Sequence, residues 1–241
     1  MIRWVYAFID RPRDRVEAAA AFWTAVTDTT LSAPRGADGE FWTFLPRDGA
    51  DACLKLQAVA ESHGGHLDLA TDNPRALADD AAALGADRVA DHGAWSVLRS
   101  PGGRLFCVVP WHREDRRPPV VAGTRVDQIA LDVPADAFEA EIEFWTELTG
   151  WTVRKGSRPE FVVVEPPGEL PIRVLLHRLD QAETAGAHLD LACADRWATR
   201  TEHESLGATF VAEHGHWITM RDPAGGLYCL TARNPQTGQL H

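Results

Sequence analysis

The chain reads as an α+β fold built twice. The pentapeptide HLDLA occurs at His66–Ala70 and again at His188–Ala192, 122 residues apart. At the same shift, residues 84–107 (LGADRVADHGAWSVLRSPGGRLFC) and 206–229 (LGATFVAEHGHWITMRDPAGGLYC) share 13 of 24 positions without a gap. AFWTAVTDT at 21–29 likewise answers EFWTELTGW at 143–151, and only the stretches near 30–65 and 152–187 need small gaps. A period this long is a duplicated domain of ordinary size, not a solenoid repeat.

The elements follow in order. WVYAFID alternates in sidedness and reads as a strand, and Arg11–Val26 reads as a helix with Val16, Ala19, Ala20, Trp23 and Val26 on one face. FWTFL and ACLKLQ form a hairpin across a polar, glycine-bearing turn, and HLDLAT is the next strand. Asn73 before Pro74 is an N-cap followed by proline at the first helical position, and Gly85 closes that helix. WSVLRS and RLFCVVP are two further strands joined by an SPGG turn. Each half thus runs β-α-β-β twice, with room for one more short strand in each module. In the second half the later helix, Asp195–Leu206, is weakly amphipathic. Residues 1–111 and 125–233 are the expected domains, the charged, proline-bearing segment 112–124 the linker, and the tail after Arg233 is expected to be loose.

Composition narrows the partners. A formal charge of −11 and a sequence pI near 5.3 argue against nucleic acid and against an anionic membrane surface. No apolar run approaches the roughly 18–20 residues that span a bilayer. The start lacks a secretory pattern, so a cytoplasmic location with reduced thiols is expected. The four cysteines show no CxxC spacing, which removes zinc-knuckle and thioredoxin readings.

These residues carry a resemblance. A strand, a helix with a Phe-Trp pair (AFW, EFW), a hairpin, a strand opening with His and a closing DPxG turn, all doubled, resemble the glyoxalase/bleomycin-resistance/dioxygenase group, the vicinal oxygen chelate superfamily. The resemblance covers nearly the whole chain. It implies four βαβββ modules whose sheets curl into two cups around small-molecule clefts. It also implies metal ligands from three places: the first strand of a half, the strand opening its second module, and a Glu seven residues after the turn Asp. On that pattern the second half offers Gln128, His188 and, counting from Asp222, Cys229. The first half offers Tyr6, His66 and Cys107, with Ser100 in place of the turn Asp. Neither half keeps the closing carboxylate that fixes a dication, so a divalent metal is disfavoured and no cofactor is expected.

Strand alternation places His188 and Asp190 on one face against Leu189 and Leu191, and His66 and Asp68 against Leu67 and Leu69. His188 and Asp190 are the candidate acid–base pair. Gln128, Cys229, Tyr6, His66, Asp68 and Cys107 are candidate ligand contacts, the two cysteines also reading as small buried side chains. Trp42, Trp95 and Trp217, on strands, offer flat apolar walls, whereas Trp23 and Trp145 read as core. His92 and His214 read as turn residues, His216 has no first-half counterpart, and His63, His112, His177, His203 and His241 carry no signal beyond solvated or locally bonded side chains. SPGG and DPAG are turns, too short and isolated to be phosphate loops.

Three functions compete: metal-independent isomerase, cyclase or lyase chemistry on a small oxygenated or aromatic metabolite; sequestration of a metabolite or antibiotic without turnover; and metal-dependent lyase or dioxygenase chemistry. The expected partner is a small molecule, bound by a monomer or homodimer, with the second half as the working cleft.

Overall fold

The computed structural model describes residues 1–62, 64–168, 170–180 and 186–240. His63 and His241 therefore lie outside the described residues. The first half contains β1 (Ile2–Pro12), α1 (Val16–Thr27), β2 (Thr29–Leu31), β3 (Phe41–Pro46), β4 (Leu54–Val59), β5 (Leu67–Thr71), α2 (Pro74–Ala83), β6 (Asp87–Asp91), β7 (Ser96–Arg99) and β8 (Leu105–Pro110). The second repeats them as β9 (Thr124–Pro134), α3 (Phe138–Thr149), β10 (Thr152–Lys155), β11 (Phe161–Glu165), β12 (Arg173–Leu179), β13 (Ala187–Cys193), α4 (Arg196–Ser205), β14 (Thr209–Glu213), β15 (Trp217–Arg221) and β16 (Leu227–Thr231). Each half forms an eight-stranded sheet, ordered β2-β3-β4-β1-β5-β8-β7-β6 and β10-β11-β12-β9-β13-β16-β15-β14. The four βαβββ modules are complete, the extra strand of each being β2, β6, β10 or β14.

Local chemistry explains the boundaries. Asn73 accepts a hydrogen bond from the Ala76 amide at 3.1 Å, so α2 begins at Pro74. Asp195 caps α4 by accepting from the Trp197 and Ala198 amides. The first helix starts later than its periodicity predicts. Pro12 disfavours helical geometry at Arg11, so β1 runs through Pro12, and one 3-10 turn (Arg13–Arg15) precedes Val16. The tail is also less loose than expected. Asn234 accepts from the Gln236 amide, the Asn234 amide donates to the Gln239 carbonyl, and Arg233 bridges to Leu240.

The chain separates into two compact units that cut across the repeat. One comprises Met1–Ala7, His66–Asp115 and Ile129–Ala187, the other Phe8–Gly65, Arg116–Gln128 and His188–His241. Each unit therefore joins a module of the first half to a module of the second.

Each unit is centred on a buried carboxylate and a tryptophan. In the unit containing α1 and α4, Asp222 accepts from Arg11 Nη2 at 2.6 Å and from Trp23 Nε1 at 3.1 Å, and its other oxygen accepts from the Gly226 amide at 2.9 Å. A Cβ on Gly226 would lie 1.7 Å from Arg11 Nη2, so this turn position admits only glycine without displacing the guanidinium. In the unit containing α2 and α3, the turn carries Ser100, and the carboxylate comes instead from Glu141 on α3. Glu141 accepts from Ser100 Oγ at 2.7 Å, the Gly102 amide at 2.6 Å and Trp145 Nε1 at 2.8 Å. Burial pushes the Glu141 carboxyl up from its ordinary range, against the pull of these three donors. Phe106, Phe144 and Trp145 pack around it, as Phe22, Trp23 and Tyr228 do in the other unit.

His203 on α4 is buried, with Nδ1 3.0 Å from Tyr228 Oη and its ring edge-on to Phe22. With Thr199, it supplies the buried face of a helix that the sequence marks as weakly amphipathic. Burial lowers its pKa from 6.5 to about 4.

Removing one partner of a buried ion pair leaves the other uncompensated, so Asp222→Ala should lower stability by roughly 3–5 kcal/mol, read from the urea midpoint. Because the folded state binds fewer protons than the unfolded state between the two His203 values, stability present at pH 7 should fall as the pH drops from 6.5 towards 4. The loss is roughly 3 kcal/mol. A His203→Gln variant, less stable at pH 7, should show a flatter pH profile over that window.

Candidate functional site

The registers of β13 and β16 assemble the first candidate cluster. They pair in parallel with Asp190 opposite Cys229, and the antiparallel β15–β16 pair sets Thr219 opposite Cys229 and Trp217 opposite Thr231. His188 Nε2 lies 3.4 Å from Asp190 Oδ1 and 3.6 Å from Cys229 Sγ. One ligand atom each from His188, Asp190 and Cys229 falls within 4.8 Å of the others. Thr219 Oγ1 lies 3.8 Å from the thiol.

The cluster is held from behind. Gln128 Nε2 donates to Asp190 Oδ2 in a short hydrogen bond. Arg233 Nη1 stands 4.0 Å from that same oxygen, while its Nε and Nη2 are taken by the two oxygens of Asp127. Burial opposes the arginine's charge, yet Asp127 and Asp190 outweigh it and raise its pKa. Asp127, Gln128, Asp190 and Arg233 are all 5% exposed or less, whereas the His188 side chain is 22% open to solvent. Asp190 also meets the Cys229 thiol, and its Oδ1 is the oxygen that faces His188. The Cys229 thiol is pushed well above its ordinary pKa, first by burial and then by the charge of Asp190, against the weaker pull of Thr219 and Arg233.

The first half repeats the trio in a different setting. Asp68 lies opposite Cys107 in the parallel β5–β8 pair and opposite Tyr6 in the β1–β5 pair. His66 Nε2 is 3.8 Å from Asp68 Oδ1. Here Asp68 and Cys107 are buried, and the His66 side chain is 10% open to solvent, less than half as open as His188. Tyr6 donates a short hydrogen bond to Glu114, whose other oxygen accepts from the His112 amide. The positions matching Asp127 and Arg233 are Val5 and Trp111. Trp111 Nε1 donates to the Glu114 carbonyl, and Arg3 stacks 5.4 Å above the Trp111 ring. A strap at 111–114 thus closes on Tyr6.

The aromatic candidates divide. Trp217 stacks on His214 at 4.5 Å, and Trp95 on His92 at 4.0 Å. Both are half-buried beside strands that carry their cluster's neighbours. Trp42 stands opposite the buried Leu56, in the compact unit that also contains His188. A separate His–Asp pair, His177 Nδ1 to Asp132 Oδ1 at 2.9 Å, sits beside Phe161. Beneath the linker, a cavity of about 60 Å³ is lined by Phe44, Cys53, Leu54, Val121, Val126 and Leu191 among others, and contains none of the His188 cluster. Burial pushes the Cys53 thiol up to about 12, which makes it unreactive.

A family model described as "Glyoxalase-like domain" matches residues 7–109 and 128–231. The chain belongs to the glyoxalase-like domain family, in two copies. No curated protein sequence matches it at a significant level. Among solved structures it is similar to 2,2',3-trihydroxybiphenyl 1,2-dioxygenase from Sphingomonas wittichii, at TM-score 0.64 and 13% identity, covering 96% of this chain and 90% of that one. It is also similar to a mutant of 4-hydroxymandelate synthase from Streptomyces coelicolor, at TM-score 0.61 and 16% identity, covering 96% and 93%. An extradiol ring-cleaving dioxygenase from B. fuscum gives TM-score 0.66 at 11% identity, covering 97% and 72%. At these identities the likeness is one of fold. Among the described residues, no helix is long and apolar enough to cross a membrane.

Arg233 and Asp127 were not evident as site residues in the sequence. Their signal was the repeat itself: opposite charges appear together at two positions where the first half has Val5 and Trp111. Arg233→Met should leave Asp127 and Asp190 as uncompensated buried charges and lower stability by roughly 3–5 kcal/mol, measured by denaturant unfolding at pH 7.

Proposed function

We propose that the chain is an enzyme acting on a small oxygenated or aromatic molecule at the His188–Asp190–Cys229 cluster. The observation that carries this reading is the contrast between the two trios. Only the second half sets a partly open histidine over a carboxylate braced by a buried Asp127–Arg233 pair. A polar His–Asp pair is costly to bury unless its partners are fixed, and Gln128 and Arg233 fix Asp190 from the far side. The first-half trio is closed over by its own linker through Tyr6 and Glu114.

In this reading His188 takes up and returns a proton at the substrate, and Asp190, 3.4 Å away, stabilises the imidazolium that forms. Gln128 and Arg233 keep the carboxylate from rotating towards its new partner. Trp217, two residues before Thr219 on the same strand face, supplies a flat wall for a ring. Isomerase, cyclase or lyase chemistry fits such a site.

The superfamily likeness and the dioxygenase neighbours raise the question of iron. A non-haem iron that activates oxygen takes two histidines and one carboxylate. This cluster has one histidine, one carboxylate and a thiol, and the first-strand residue, Gln128, is committed to Asp190. The donor set does not fit that iron, and ring cleavage with dioxygen forms no part of the proposed reaction.

Sequestration without turnover is the second reading, favoured by the stacked His214–Trp217 pair. The test is a panel of small oxygenated aromatics incubated with the protein and followed by mass spectrometry. A substrate should be consumed, with the rate falling by about 10²–10⁴ in His188→Ala and unchanged in His66→Ala. Saturable binding with no conversion would support sequestration, and loss of conversion in His66→Ala alone would move the site to the first half.

A further inference from the structure

The cavity beneath the linker lies within one compact unit, the one that holds α1, the linker residues from Arg116 onward and β13 from His188. Thr29 and Val126 are among the residues that line it. At the shift of 122 residues the matching positions are Trp151 and Trp4, both in the other compact unit and only 5% and 2% exposed. Two buried indoles therefore stand, in the other copy, where a threonine and a valine border an open space here. We propose that this cavity is a binding site for a small, flat aromatic molecule of single-ring to indole size, which supplies the ring that Thr29 and Val126 leave out. The site is separate from the His188 cluster and does not depend on the role given to that cluster.

The lining suits an apolar guest. Val26, Phe44, Cys53, Leu54, Val126 and Leu191 are all buried. The hydroxyls among the lining residues are already bonded within the protein. Thr27 donates to the Trp23 carbonyl and meets Thr29 Oγ1 at 2.9 Å, and Thr124 donates to the Val121 carbonyl at 3.0 Å. The charged lining residues are paired as well: Arg47 with Asp28 at 3.2 Å, Asp48 with Arg116 at 3.1 Å, and Arg125 Nη2 with the Gln236 carbonyl at 3.0 Å. Burial keeps the Cys53 thiol neutral. A guest here gains by removing carbon from water and not by hydrogen bonding.

Size and stiffness agree with that guest. A volume of about 60 Å³ exceeds several-fold the roughly 10–15 Å³ that one water needs, and apolar cavities stay dry and take up single-ring guests. Arg47, Asp48 and Pro119 are exposed, so the lining reaches solvent at a rim through which a ring can enter. The wall on the linker side is preformed. Pro118 and Pro119 have fixed φ, and Val121 and Thr124 exchange backbone hydrogen bonds of 2.8 and 2.7 Å across Ala122 and Gly123, at φ 46° and 76°. A preformed wall costs the guest little ordering on binding. Leu191 and Val126 adjoin Asp190 and Asp127 in sequence, so the guest touches the two strands that carry those carboxylates.

The test is calorimetric titration of the full chain with indole, beside Thr29→Trp and Val126→Trp, which restore the residues of the other copy. The wild type should bind indole saturably, and each variant should lose one equivalent of it, because the new side chain fills the space. Absence of saturable binding, or a full complement retained by either folded variant, overturns the proposal. Where a variant fails to fold, diffraction from wild-type crystals soaked with a brominated indole decides. An anomalous bromine peak among Phe44, Leu54 and Leu191 is the expected result, and bromine only elsewhere, or none, overturns the site.

Discussion

A buried carboxylate meeting a tryptophan indole is the interaction on which each half of the core depends. Asp222 ties the first half's Arg11 and Trp23 to the second half's last turn. Glu141 ties the first half's Ser100 and Gly102 to the second half's Trp145. In both cases the carboxylate bonds residues from the two copies of the repeat, so the compact unit is not the unit that was duplicated. The two solutions are complementary: the turn with Ser100 meets a helix carrying Glu141, and the turn with Asp222 meets a helix carrying Ala19 at the matching position. A missing carboxylate would strand a buried indole, and a second one would add an unpaired charge.

The same logic distinguishes the two His–Asp–Cys trios. Duplication delivered the same three residues to the same register twice, with Asp opposite Cys across a parallel strand pair. What differs is the surrounding charge. The second trio acquired a cation, Arg233, together with the anion that holds it, Asp127. The first acquired an aromatic residue, Trp111, and a linker that folds Glu114 onto Tyr6. One trio is braced and partly open, the other buried and strapped, and chemistry is assigned to the braced one for that reason.

Much of the fold was legible because the repeat doubled every weak signal. The Asn73–Pro74 cap, the HLDLA strands with their buried leucines and the SPGG and DPAG turns each appear where their chemistry requires. The boundary at Arg11 was misread because helical periodicity carried back past Pro12, and the end of the chain because Asn234's turn depends on a side-chain acceptor that periodicity does not report. In the site, alternation placed His188 and Asp190 together and the resemblance supplied Cys229, which strand register sets opposite Asp190. Arg233 and Asp127 were hidden because 106 positions of chain separate them, and a long-range ion pair leaves no local pattern. Glu114 was hidden for a related reason, lying in a segment that reads as solvated linker.

The most direct measurement is X-ray diffraction from crystals of the full chain soaked with small oxygenated aromatics. The account predicts a bound ring with an oxygen in hydrogen-bond reach of His188 Nε2, with Gln128 and Arg233 still on Asp190 Oδ2. Occupancy only beside Tyr6 and His66 would contradict it.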